Sequence, residues 1–323
     1  MAHLASNRFS HAGQFGMLLV FIASGLMLGG LLSFLPMLQL VGWKDIFNTD
    51  SAKLIDRLLV PAHASTFRLM QFISTLFIFF VPAWLYAWVC HSKPAMHLGL
   101  KARTPWKQQG VVIMMMMVAL PIVGSLQEIT TQLPWSTAML EEFKLAEKSY
   151  NKQIAVIARM DNVVDLLISL GMVAALPAIF EEILFRGALQ NLFTRWMKNP
   201  IVAIIVTAIL FSAVHGSALG FLSRILLGII LGWIYYRSGN LWLSIIGHFV
   251  NNAIAILALY STKKAGEVLD PSKIDTHYPV WIGAIGVIAL IGFSQLFERM
   301  LPKQSPDDPV ELPMQGKGSS DPI

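Results

Sequence analysis

The stretch FEEILFRGALQ, residues 180–190, sets two adjacent carboxylates, Glu181 and Glu182, and one arginine, Arg186, between two strongly apolar runs. The run starts near Val163 and continues through the charges, so it is long enough to cross a bilayer, which takes about 20 residues for about 30 Å of hydrocarbon. The rest of the 323-residue chain has the same character. Hydrophobic residues make up 55% and charged residues 13%, and the charged share is about half that of a soluble domain. Apolar blocks separated by polar punctuation predict an all-α, polytopic transmembrane helical bundle.

Working outward from this stretch gives about eight apolar segments, each near spanning length. They run roughly over 14–38, 67–90, 109–126, 163 through the paired glutamates, 200–216, 220–237, 241–260 and 279–297. The first is too long for the core of a signal peptide and reads as a membrane helix. No repeat of 20–50 residues is visible. Between the third and fourth segments, Met139, Leu140, Phe143, Ala146 and Tyr150 fall on one helical stripe with charges opposite. Segment 137–150 therefore reads as an amphipathic helix at the membrane surface, or equally as a soluble hairpin packed on the bundle. The tail PKQSPDDPVELPMQGKGSSDPI is rich in Pro, Ser and Asp and is expected to be disordered.

The net charge of +5 is modest and forms no dense basic patch, which argues against nucleic acid as a partner. The single cysteine, Cys90, excludes an internal disulfide and a cysteine-based zinc site. Lys93, Lys101, Arg103 and Lys107 lie in one loop that has no acid, and Arg195 and Lys198 lie in the turn TRWMKNP. With eight spans these loops share one side. The excess of positive charge makes that side cytoplasmic, together with both termini.

A charge at the bilayer centre costs about 2.5–3.5 kcal/mol on insertion scales, so the three charges at 181–186 need partners or a wet cavity. Glu182 and Arg186 are four residues apart and can pair on one helix face. Glu181 is left without a local partner. Of the eight histidines, only His215 and His248 sit well inside apolar runs. Glu181 lies about 17 residues before the turn at 199 and His215 about 16 after it, so both stand about 25 Å from that turn on antiparallel neighbours. His248 and Asn252 stand roughly 14 and 20 Å above the turn RSGN, four apart on one face, with Asn251 close to that face too. A kink at Pro177 would shift these heights by several Å. The depths are compatible with one polar cluster buried among three helices. Gly228/Gly232 and Gly216/Gly220 have the small-xxx-small spacing of close helix packing.

A carboxylate and an imidazole facing a small wet cavity can bind and deprotonate water, and a second imidazole with an amide can stabilise an oxyanion. Such a set suffices for peptide-bond hydrolysis without a serine or cysteine nucleophile. The same groups could instead hold a divalent metal such as zinc, with Glu181, His215 and His248 as ligands. Taken singly, each residue has a plainer role: an ion pair for Glu182 and Arg186, helix bridging for each histidine, packing for the asparagine. HExxH, Gly-x-Gly-Asp and Gly-x-Ser-Gly signatures of other membrane proteases are absent.

The motifs EEILFR (Glu181 to Arg186), FSAVH (Phe211 to His215) and HFVNN (His248 to Asn252) occur in that order inside apolar segments. In this pattern, EExxxR, FxxxH and HxxxN, the chain resembles the CPBP family of CAAX proteases and bacteriocin-processing enzymes, also called Abi. The resemblance covers roughly residues 162–260. It implies an intramembrane endopeptidase in which Glu181, helped by His215, activates the water. It further implies that His248 and Asn252 stabilise the oxyanion and that Arg186 holds the glutamate segment. The candidate catalytic set is Glu181, Glu182, His215, His248 and Asn252, with Arg186 and Phe211 supporting. On this reading 1–161 holds membrane helices and the amphipathic segment, 162–260 the catalytic core, 261–300 a last membrane helix and 301–323 the tail. The implied partners are membrane lipid and a membrane-associated or lipidated peptide, and the unadorned membrane architecture suggests a prokaryotic relative in a bacterial inner membrane. The alternative is a proton- or ion-coupled transporter, which also uses buried Glu, His and Arg, although inverted repeats are not visible.

Overall fold

The computed structural model describes residues 9–42, 57–262 and 278–302. The tail expected to be disordered lies, from residue 303 on, outside the described residues. All regular structure among the described residues is helical. The helices are α1 His11–Val41, α2 Pro61–Cys90, α3 Trp106–Thr131, α4 Thr137–Ile157, α5 Val163–Met197, α6 Pro200–Ala213, α7 Phe221–Ser238, α8 Leu241–Thr262 and α9 Val280–Arg299.

Their ends follow local chemistry. Ser10, Ser136 and Asn162 cap α1, α4 and α5 by accepting from the backbone N–H of Gly13, Met139 and Asp165. Between α5 and α6, Lys198 takes a left-handed turn, Asn199 caps two N–H groups, and Pro200 opens the helix where no N–H is needed. Gly239 closes α7 at φ +62°, and Asn240 caps Trp242 in the next helix.

The molecule is oily on the outside and buries charged groups within an apolar core. Ile288 on α9 is 73% exposed and Met27 on α1 is 70%, whereas Arg186 is fully buried. That inversion suits lipid, and the chain is an all-α polytopic membrane bundle. Among the described residues six helices, α1, α2, α3, α5, α8 and α9, are long and apolar enough to cross a membrane. This is two fewer than the eight apolar segments suggest. α6 has 14 residues, a rise of about 21 Å against about 30 Å of hydrocarbon, so its end stops short of the far surface. α7 has 18 residues and carries Arg224 and Arg237.

α5 is the centre of the bundle. Residues 180–194 are all buried, as expected of a helix enclosed on every side. The helix widens to π geometry at Leu170–Ala175 and again at Ile183–Gln190. The first widening lies just before Pro177, whose ring clashes with a regular preceding turn. The second sits at the charged motif.

α5 and α7 are joined by two rungs. Arg186 Nη2 donates to the carbonyl of Gly228 (3.2 Å), and Gln190 Nε2 to that of Gly232 (2.8 Å). Both pairs are four apart, so the rungs share one face. Gly228 also lets α7 meet α6, since a Cβ there would lie 2.8 Å from the Ala208 Cβ. The first small-xxx-small pair is thus a packing device. The second is not a helix seam: Gly216, at φ +65°, lies in the α6–α7 loop together with Gly220.

The amphipathic segment is helical over Thr137–Ile157, longer than the 137–150 expected. Arg68 on α2 grips its end by donating to the carbonyls of Ile157 and Arg159. In its middle, Glu147 accepts a hydrogen bond from Ser217 in the α6–α7 loop.

Candidate active site

The charged motif, the end of α6 and the middle of α8 meet in the interior. Glu182 and Arg186 are both fully buried, and Arg186 Nη1 donates to Glu182 Oε1 at 2.6 Å. The same oxygen accepts from His248 Nδ1 at 2.9 Å. The anticipated helix-face pair is therefore also the anchor of an imidazole from another helix. Phe211 forms the wall of the site. Its ring lies 4.7 Å from the Arg186 guanidinium carbon and makes edge contacts with His215 (4.9 Å) and His248 (5.7 Å). Its carbonyl accepts from His215 Nδ1 at 2.8 Å.

His215 does not lie inside a helix, as the apolar run suggested. α6 ends at Ala213, and the left-handed Gly216 turns the chain. Because α6 is short, its end and the imidazole following it still lie at depth.

These bonds fix the histidine tautomers. A backbone carbonyl only accepts, so His215 carries its proton on Nδ1. Glu182 accepts twice on one oxygen, and an ionised carboxylate only accepts, so His248 also donates from Nδ1. Each neutral ring then shows a bare Nε2. Glu181 Oε2 lies 3.9 Å from His215 Nε2 and 3.8 Å from His248 Nε2. It is buried and has no hydrogen-bond partner.

Three acceptors thus face each other with no donor between them. The arrangement calls for a species that brings protons or positive charge. A water at about 2.8 Å from the carboxylate and from either imidazole spans these separations with its hydrogen bonds bent by several degrees. A tetrahedral zinc with bonds of about 2.0–2.2 Å would need donors about 3.4 Å apart, closer than those found here. Among the described residues no three His, Cys, Asp or Glu side chains form a metal-holding group.

The sequence-predicted residues Glu181, Glu182, Arg186, Phe211, His215 and His248 are brought together. Asn252 lies one turn beyond His248 on α8, and its Oδ1 accepts from Asn251 Nδ2 at 3.3 Å. Sequence reasoning missed the rim. Glu147, Tyr150, Ser217 and Arg224 gather where α4 crosses the α6–α7 loop: Ser217 donates to Glu147, and Tyr150 stands in the fields of Arg224, Glu181 and Glu147. Arg224, an ionisable side chain inside an apolar run, was the signal that could have pointed there.

Searches of curated proteins and of solved structures return no match. Residues 163–254 match the family model described as type II CAAX prenyl endopeptidase Rce1-like, and over that stretch, which contains all three motifs, the CAAX-protease resemblance stands.

Proposed function

We propose that the protein is an intramembrane endopeptidase that hydrolyses membrane-associated peptides with a water activated by Glu181 and His215. The observation that carries this reading is the convergence of Glu181 Oε2 with the Nε2 atoms of His215 and His248 on one buried spot. A water there donates to Glu181 and His215, which leaves an oxygen lone pair free to attack a peptide carbonyl. The attack forms the C–O bond as a water proton passes to Glu181, and the carbonyl oxygen takes the negative charge. His248 meets that oxyanion from Nε2 when it holds a second proton, with Glu182 opposite its Nδ1, and the Asn252 amide is the second donor. The proton on Glu181 then goes to the leaving amine as the C–N bond breaks. No step runs through a metal. The substrate is a lipidated or otherwise membrane-bound peptide, and the basic end of the bundle is its cytoplasmic end.

The test is cleavage of lipidated peptides by the purified protein in vesicles, with elemental analysis of the same sample. Glu181→Gln and His215→Ala should each lower kcat by about 10²–10⁴-fold while the protein stays folded. Proton-gradient-driven flux without peptide cleavage would overturn the proposal in favour of transport. Stoichiometric zinc whose removal abolishes cleavage would overturn its metal-free form.

A further inference from the structure

Arg224 is a charged group near the site that the mechanism does not use. It lies in the first turn of α7 and is partly buried. Its Nη1 is buried without a hydrogen-bond partner. The guanidinium folds back over Gly220: a Cβ on that glycine would lie 2.5 Å from Nη1 and 3.0 Å from Ser217 Oγ. Glycine is therefore the residue that leaves room for the arginine to lie there. The charge of Arg224 acts on His215 and on Tyr150, which also stands in the field of Glu181. Glu147 of the rim accepts a hydrogen bond from Ser217.

An arginine stays charged at any working pH and offers a planar fork of donors. A buried donor without a partner costs free energy unless a ligand completes it. The partner that completes it is an anion, and a guanidinium beside a peptide-cleaving centre matches a carboxylate in two-pronged geometry. We infer that Arg224 is a substrate-positioning residue that takes a carboxylate of the bound peptide, in the first place its free C-terminus. A C-terminal carboxylate necessarily belongs to the leaving piece, so Arg224 would hold the product side against the rim formed by α4 and the α6–α7 loop. Tyr150 lines the same rim with a phenol able to donate. This inference rests on the proteolytic reading and adds a specificity to it.

Three peptides test it, identical in their lipid anchor and scissile bond. One ends in a free carboxylate, one in an amide, and one in an amide with an aspartate on the leaving side. Wild type should prefer the free acid over the plain amide by about tenfold or more in kcat/KM. Arg224→Gln should bring that ratio close to one, chiefly by raising KM for the acid, and Arg224→Lys should restore part of it. A preference for the aspartate peptide that Arg224→Gln also abolishes would support the carboxylate site with a side chain as its source. Equal wild-type rates on acid and amide would overturn the inference while leaving the protease reading intact. An Arg224→Gln defect equal on all three peptides, or one that follows the anionic lipid content of the vesicle, would also overturn it. Failure of wild type to cleave any peptide removes the proteolytic reading, and this inference with it.

Discussion

Glu182 decides the geometry of the site although it never faces the cavity. One of its oxygens takes Arg186 at 2.6 Å and His248 at 2.9 Å. Through the second bond it selects the His248 tautomer that exposes Nε2 to Glu181. Removing one member of a buried pair leaves an uncompensated charge and costs about 3–5 kcal/mol. Arg186→Ala and Glu182→Gln should each lower stability by about that amount in denaturant unfolding from mixed micelles. The double variant Glu182→Leu/Arg186→Met removes both charges and should recover most of the loss. It should not recover peptide cleavage, because His248 Nδ1 has then lost its acceptor. A double variant as unstable as the singles would refute this account, as would one that folds and cleaves normally.

At the scale of elements, the α5–α7 rungs depend on glycine. Gly228 exposes its carbonyl to Arg186 and lets α7 touch Ala208 on α6. Gly228→Ala would set a Cβ 2.8 Å from the Ala208 Cβ and 3.0 Å from its Cα. Overpacking of this kind costs about 1–3 kcal/mol, and a shift of α7 would stretch the Arg186 rung. The same unfolding assay should register that loss, and Ala208→Gly added to Gly228→Ala should return part of it. No recovery in the pair would mean that the clash lies elsewhere. Much of this was legible in the sequence. Apolar block length gave the helices, and counting residues from the turn at 199 put Glu181 and His215 at one depth. The i, i+4 spacing predicted the Glu182–Arg186 pair. Other features have no local signature. Hydropathy does not report π geometry, so the widened turns of α5 went unseen. The end of α6 before His215 depends on the left-handed Gly216, which reads equally as a packing glycine. The docking of α4 on Ser217 is a long-range contact that no periodicity encodes.

For the whole molecule, the end of the bundle away from the α4 rim is tied by polar contacts among three helices and a loop. Arg195 on α5 donates to Gln14 of α1 and to the hydroxyl of Tyr86 on α2, and Asn191 donates to the carbonyl of His97. In the loop between α2 and α3, the rings of His91 and His97 stack with centroids 3.3 Å apart, and the Nε2 of each is buried without a partner. Burial pushes His91 down to about 3, helped by the charge of Arg195. Burial also pushes His97 well below its ordinary value, helped by His91 and Arg195. Both rings are therefore neutral in the folded protein at neutral pH. Unfolding returns them to about 6.5, where they take up protons. Between about 6.5 and 3 the unfolded state holds more protons, so stability is complete above that window and is lost as pH falls through it. Each histidine can add at most about 1.4 kcal/mol per pH unit to the slope. Thermal unfolding in detergent should show wild type losing stability between pH 7.5 and 5. His91→Gln/His97→Gln should lose less over the same range, because glutamine does not titrate. Parallel pH curves for the two proteins would mean that the stacked pair does not set the acid sensitivity of this end of the bundle.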